Sequence, residues 1–134
     1  MRRAALIILA ATVLHDLDHV RQGTGASTEV VVTAIAGWIA TIVLLILVFR
    51  RSELAAPYAA AFGLALAAGF VLVHFLPRWS AFSAPYPDQG VDAVSWVLAS
   101  LPVAAGLYLS AAALRCVSKN RRMRPQASSA DGPW

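Results

Sequence analysis

Long runs of apolar residues, separated by short polar stretches, dominate the pattern along the chain. A helix that crosses a bilayer needs about 20 mostly apolar residues. Three segments meet that requirement, and a fourth, at the start of the chain, has a shorter apolar run followed by polar residues. We therefore predict an all-α fold, an integral membrane four-helix bundle, with spans at residues 3–20, 29–49, 54–76 and 91–116.

The first predicted span is the weakest of the four. Its purely apolar part covers only residues 4–14, and the sequence HDLDH follows directly. A secretory signal peptide is the alternative interpretation, because Arg2 and Arg3 precede a short apolar core. No cleavage site of the small-x-small type follows Leu14. We therefore prefer a spanning helix whose last turns face other helices rather than lipid.

Basic residues are distributed unevenly between the two ends of the predicted bundle. Nine arginine and lysine residues lie at the end that holds both termini, and only Arg21 and Arg78 lie at the other end. Cytoplasmic segments of membrane proteins are enriched in basic residues, so both termini are predicted to be cytoplasmic. Beyond a membrane domain at residues 1–116, we predict a disordered basic tail at residues 117–134 that can lie on anionic lipid headgroups.

Composition supports a multi-pass location in a cell membrane. Hydrophobic residues make up 59% of the 134 residues, whereas a soluble domain is close to half apolar. Arginine outnumbers lysine ten to one and alanine is abundant, which suggests a GC-rich bacterial genome, so the membrane is predicted to be a bacterial inner membrane. The net charge of +4 is dispersed beside apolar runs and does not indicate a nucleic-acid partner. The single cysteine, Cys116, excludes an internal disulfide.

Side chains that can act as ligands collect at the end away from the termini, which is the outer end in this topology. His15 and His19 share one face of the first span with Asp18, and His74 lies late in the third span. Asp92 precedes the apolar part of the fourth span. Ionisable groups at membrane depth are costly unless paired, so they are candidates for function. We predict that these five side chains converge in a pocket open to the outside.

Three interpretations of this cluster remain open from the sequence. The first is a metal site, because histidines at i and i+4 on a helix can bind one ion. With Asp18, His74 and Asp92 it would offer nitrogen and oxygen donors suited to zinc, iron, manganese or copper(II). The second is a proton-linked or structural network without metal, in which Arg21 pairs with Asp18 or Asp88. The third, haem, is the least favoured, because it needs a large cavity and deeper ligands.

An enzyme that acts at the outer leaflet is the leading functional hypothesis. A metal centre near the headgroups could activate water to hydrolyse an ester, amide or phosphate of a lipid substrate. Asp18, Asp92 and Ser95 are the candidate catalytic residues. A proton-linked transporter and an accessory or sensor subunit are the alternatives that use the same cluster. The sequence has no serine-nucleophile motif, phosphate-binding loop or dinucleotide fingerprint.

Small residues at four-residue spacing mark one face of the third span. Such a stripe allows another helix to approach closely. Packing within the chain is the preferred interpretation, and a homodimer interface is the alternative. The stripe consists of Ala55, Ala59, Gly63 and Ala67.

The connection between the third and fourth spans contains three residues with local predictions. Asp88 is expected to cap the fourth helix, because aspartate accepts hydrogen bonds from the free N–H groups of a first turn. Trp79 and Tyr86 are expected to anchor the connection at the membrane interface, where aromatic residues are enriched.

Overall fold

Every regular element in the described part of the chain is helical. The computed structural model describes residues 1–23 and 27–128, with side chains up to residue 119. The all-α prediction is confirmed over these residues, and each predicted span coincides with a long helix. The elements are α1 (Arg2–Gln22), α2 (Thr28–Phe49), α3 (Ala55–Phe70) with a π-helical turn at Val71–Phe75, a short α4 (Tyr86–Gln89) and α5 (Ala93–Ser128).

Local sequence signals explain how the first two helices end and begin. Gly23 ends α1 in the left-handed conformation, with φ of 63°, and its N–H donates to the carbonyl oxygen of Val20. Ser27 caps α2, because its hydroxyl accepts from the backbone N–H of Val30 at 3.3 Å. At the other end of α2, Arg51 adopts φ of 54° in the tight turn that leads to α3.

Within the described residues, three helical segments are long and apolar enough to cross a membrane, namely Thr28–Phe49, Ala55–Phe75 and Ala93–Lys119. Helix α1 is 21 residues long but is not one of them. Its last two turns carry Asp16, Asp18 and Arg21, and these charges lower its hydropathy. Three of the four predicted spans are thus confirmed as helices long and apolar enough to cross a membrane, and α1 does not meet that criterion.

The small-residue stripe of α3 packs inside the chain. All four of its residues are buried, and α3 makes its most extensive contacts with α5. A Cβ atom added to Gly106 of α5 would lie only 2.5 Å from the carbonyl oxygen of Gly63. The two backbones therefore approach each other closely, and the Ser110 hydroxyl donates across this contact to the carbonyl oxygen of Ala60 at 2.8 Å.

Helix α2 lies at the edge of the fold. Only Thr41, Leu44 and Val48 among its residues are buried, and its contacts with α1 and α3 are sparse compared with those between α3 and α5. Two hydrogen bonds hold it in place. The Trp38 indole N–H donates to the Asp16 carboxylate at 2.6 Å, and the Tyr58 hydroxyl donates to the carbonyl oxygen of Ala40 at 3.0 Å. The sparse packing leaves a space between α2 and its neighbours.

Two ionisable residues, His15 and Asp18, are buried in the last turns of α1, whereas neighbouring apolar residues are exposed. Leu17 is 58% exposed, whereas the adjacent Asp18 is 2% exposed and His15 is also buried. Large apolar side chains are exposed on the other long helices as well. Charged residues are almost never fully buried unless paired, and Asp18 is paired with Arg21 at 2.8 Å.

The last helix is longer than the sequence predicts. Helix α5 begins at Ala93 and continues beyond Cys116 to Ser128, so residues 117–128 of the predicted disordered tail are helical. Arginine and lysine are good helix formers, which is why a basic stretch can prolong the apolar helix before it. Residues 129–134 of the predicted tail lie outside the described residues.

Candidate metal centre

The three histidines of the chain meet at the end of the fold where α1 ends. His15 and His19 come from α1, and His74 comes from the π-helical turn after α3. Each histidine contributes one ring nitrogen to a group of three, and the three nitrogens lie within 4.8 Å of one another. Of the five side chains predicted to converge, the three histidines do so, and they come from two segments that are distant in sequence.

His15 and His19 lie on successive turns of α1 and direct their rings toward each other. Their Nε2 atoms are 3.0 Å apart. In a tetrahedral site with Zn–N bonds of 2.0–2.1 Å, two ligand nitrogens are about 3.3–3.5 Å apart. A small adjustment of either ring therefore allows both Nε2 atoms to contact one ion. His15 is 3% exposed, and its Nδ1 atom has no hydrogen-bond partner.

The orientation of His74 is set by the π-helical turn and by the loop that follows it. The N–H of Leu76 donates to the carbonyl oxygen of Val71 at 3.2 Å, an i to i+5 bond, and such turns are frequent at functional sites. The Nδ1 atom of His74 donates to the carbonyl oxygen of Ala84 at 3.2 Å. Because a carbonyl only accepts, the proton is on Nδ1 and the lone pair is on Nε2. Histidines that bind metals make this kind of second contact.

Tyr86 packs against all three histidines. Its ring centroid lies 4.7 Å from that of His74, 6.2 Å from that of His19 and 6.5 Å from that of His15. The prediction of an interface anchor is wrong for Tyr86, because the side chain is 1% exposed and packs inside the protein. Burial, together with the charge of Asp18, raises the pKa of Tyr86 to about 12, so the phenol stays protonated. Prolines precede and follow Tyr86 in the sequence. Because proline fixes its backbone φ angle, they could have predicted a rigid turn at this position.

Asp18 and Asp92 belong to a separate cluster around Arg21. Arg21 Nε donates to Asp18 at 2.8 Å, and its Nη1 and Nη2 atoms each donate to Asp92 at 2.9 Å. Arg21 thus pairs with Asp18, one of the two expected partners, whereas Asp88 lies 3.9 Å from Arg78. The hydrogen bonds and charge of Arg21 hold the pKa of Asp92 well below its usual range.

Ser95 and Gln22 complete this second cluster. Gln22 Nε2 donates to Ser95 Oγ at 2.8 Å and also to Asp18. The backbone N–H of Ser95 donates to Asp92 at 3.0 Å. Asp92 is therefore the residue that caps α5, and the prediction that Asp88 does so is wrong, because α5 begins only at Ala93. The predicted catalytic residues Asp18, Asp92 and Ser95 join α1 to α5 and are not part of the three-histidine group.

A cavity of about 600 Å³ leads to the histidines. It lies between α2 on one side and α1 and α3 on the other, and the loop after α3 closes one end. The three histidines lie at its polar end with Thr12, Asp16 and Gln89, and Thr33 and Thr41 of α2 also line it. Thr12 Oγ1 is buried without a hydrogen-bond partner. The remaining wall consists mainly of apolar side chains of α2 and α3.

Three imidazoles form a donor set that suits zinc and other divalent transition metals. Metal sites that perform catalysis commonly have three protein ligands and keep one position open. Here the three nitrogens lie at the polar part of a cavity, so a ligand in the cavity can reach an ion held by them. Comparison of the chain with protein-family models, with curated proteins and with solved structures finds no match.

Proposed function

We propose that the chain is a multi-pass membrane protein in which α1, α2, α3 and α5 form a four-helix bundle across the bilayer. The lengths of α2, α3 and α5 and the exposure of their apolar side chains support it. The burial of His15 and Asp18 explains how α1 can remain in the membrane despite its polar last turns. The excess of basic residues at the other end favours cytoplasmic termini, with the histidines at the outer face.

In this proposal His15, His19 and His74 bind a divalent transition metal, and the centre acts on a lipid-like molecule at the outer leaflet. The observation that carries it is the convergence of the three ring nitrogens within 4.8 Å. A bound ion would supply a Lewis acid that polarises a carbonyl or phosphoryl oxygen. The hydrogen bond from His74 to Ala84 fixes the tautomer that presents Nε2 as a ligand.

Asp18, Asp92 and Ser95 have a positioning role in the proposed site. Arg21 and Gln22 occupy both oxygens of Asp18. Arg21 likewise occupies both oxygens of Asp92. These contacts fix the end of α1 against α5 and so hold the face that carries His15 and His19. The proposal therefore assigns metal binding to the three histidines alone.

Elemental mass spectrometry of the purified protein tests the proposal directly. The wild type is expected to carry near-stoichiometric zinc, iron, manganese or copper, and His15→Ala and His74→Ala are each expected to lose it. Asp88→Asn serves as the matched control, because Asp88 is exposed and lies in the same outer connection. If the wild-type protein binds no metal after reloading with each ion, the metal proposal is refuted.

A metal-free histidine network is the second candidate function. The 3.0 Å separation of the His15 and His19 Nε2 atoms also fits a hydrogen bond between two neutral rings. Such a network would serve a proton-linked transporter or an accessory subunit. A folded protein that cannot be loaded with metal would favour this candidate over the enzyme.

A further inference from the structure

We propose that the cavity beside the histidines holds one hydrocarbon chain of a lipid-like ligand from the bilayer, with the polar end of the ligand at His15, His19 and His74. The inference rests on the proposed membrane location. It deepens the proposed function by naming the class of molecule that reaches the site.

The dimensions of the cavity fit a single chain. Its lining on α3 and the following π-helical turn extends from Phe62 to His74, which corresponds to about 18 Å at 1.5 Å per residue. One leaflet of the hydrocarbon core is about 15 Å thick, half of roughly 30 Å. The cavity volume of about 600 Å³ lies within the range of about 300–1,000 Å³ that is usual for small-molecule sites.

The edge position of α2 makes the cavity accessible from the bilayer. Val31, Ile35 and Ala36 line the cavity and are also exposed at the surface of the fold. In a membrane this surface faces hydrocarbon rather than water. An apolar chain can therefore move sideways into the cavity between α2 and α3, whereas a polar solute would first have to cross apolar surroundings.

Three buried polar atoms of residues that line the cavity lack a hydrogen-bond partner among the described residues, namely Thr12 Oγ1, His15 Nδ1 and Gln89 Oε1. They favour a ligand at the polar end of the cavity. Thr12 is 7% exposed and His15 is 3% exposed. Buried polar groups are normally paired, so a head group with oxygen atoms would satisfy donors that the protein alone leaves free.

Photolabelling with a palmitate that carries a diazirine in its chain tests the inference. The protein is reconstituted in phosphatidylcholine nanodiscs, irradiated and digested, and the labelled peptides are mapped by mass spectrometry. Gly69→Leu is the blocking variant, because Gly69 lines the cavity and an added Cβ would meet nothing within 4 Å. Ala68→Leu is the matched control, because Ala68 is exposed and does not line the cavity.

Gly37→Leu is a second blocking variant, which fills the cavity from the side of α2. Gly37 also lines the cavity with open space around it, so the test does not depend on the folding of one variant. Specific labelling of Phe62, Leu66 and Phe70 is expected in the wild type and in Ala68→Leu. It should be displaced by excess unlabelled palmitate and lost in both blocking variants.

Labelling spread evenly over exposed residues such as Leu64 and Val97, with no difference between variants, would overturn the inference. Metal content is measured in the same samples. Bound metal with unspecific labelling would refute the lipid-chain inference alone. Specific labelling without metal would refute the metal centre and leave the inference intact.

Discussion

His74 donates its Nδ1–H to the backbone carbonyl oxygen of Ala84 at 3.2 Å, so the loop after α3 orients a residue of the helix before it. The backbone N–H of Ala84 in turn donates to the carbonyl oxygen of Val73 at 2.9 Å. The two bonds fasten the loop to the π-helical turn on both sides of the histidine. Since both involve backbone atoms at position 84, the arrangement depends on the path of the loop rather than on a particular side chain there.

Replacing Tyr86 tests whether the loop supports the metal centre through packing. Tyr86→Ala removes a fully buried ring that contacts all three histidines, and such changes cost about 3–5 kcal/mol. We expect a lower unfolding temperature and weaker metal binding, measured by thermal unfolding and competition with a chelator. Tyr86→Phe is the control and should bind metal like the wild type, since it keeps the ring that packs against the histidines. Wild-type metal affinity in a folded Tyr86→Ala would contradict the supporting role.

Asp18→Asn tests the buried half of the Arg21 cluster. The Asp18 side chain is fully buried and accepts from Arg21 and Gln22. Loss of its charge should lower the free energy of unfolding by about 1–3 kcal/mol, the usual cost of a buried group left without its partner. Asp88→Asn should change it by less than about 0.5 kcal/mol, because exposed ion pairs contribute little. Denaturant titrations measure both changes. If the two substitutions lower the free energy of unfolding equally, the buried Asp18–Arg21 pair contributes no more to stability than an exposed one.

The depressed pKa of Asp92 predicts how one part of the stability depends on pH. Arg21 lowers this pKa below the ordinary value of 3.8. The stabilisation is therefore fully present above that value and is lost as the pH falls toward the folded-state pKa. We expect Asp92→Asn to be less stable than the wild type at neutral pH and the difference to shrink below about pH 4. If the unfolding temperatures of the wild type and Asp92→Asn differ by the same amount from pH 7 to pH 3, the ionisation of Asp92 does not contribute to stability.

Gly106→Ala tests the close approach of α3 and α5. The added methyl group would meet the carbonyl oxygen of Gly63 at 2.5 Å, so the helices must separate, at a cost of about 1–3 kcal/mol. Gly37→Ala is the matched control, since its methyl group would meet nothing within 4 Å. We expect a lower unfolding temperature for the first variant only. A similar temperature for both would mean that the two backbones can separate without cost.

The features that the sequence could predict are those that depend on local pattern. Helical periodicity is enough to place His15 and His19 on one face, and apolar length is enough to place the long helices. The pairing of Arg21 with Asp92 depends on how α5 is rotated against α1, which no local pattern reports. The same is true of Tyr86, because the loop and not the residue type decides whether an aromatic ring turns to the membrane interface or into the protein.

The Arg21 ion pair also constrains the order in which the chain can mature. Arg21 and Asp92 are separated by 71 residues, so α1 leaves the ribosome long before the partner that neutralises its arginine. Until α5 is made, only Asp18 can balance that charge, and both lie on the helix with the weakest apolar character. In the proposed four-helix bundle, α1 would gain its full charge pairing only after α5 is made, so the proposal implies that the first helix to be synthesised is the last to be secured in the membrane.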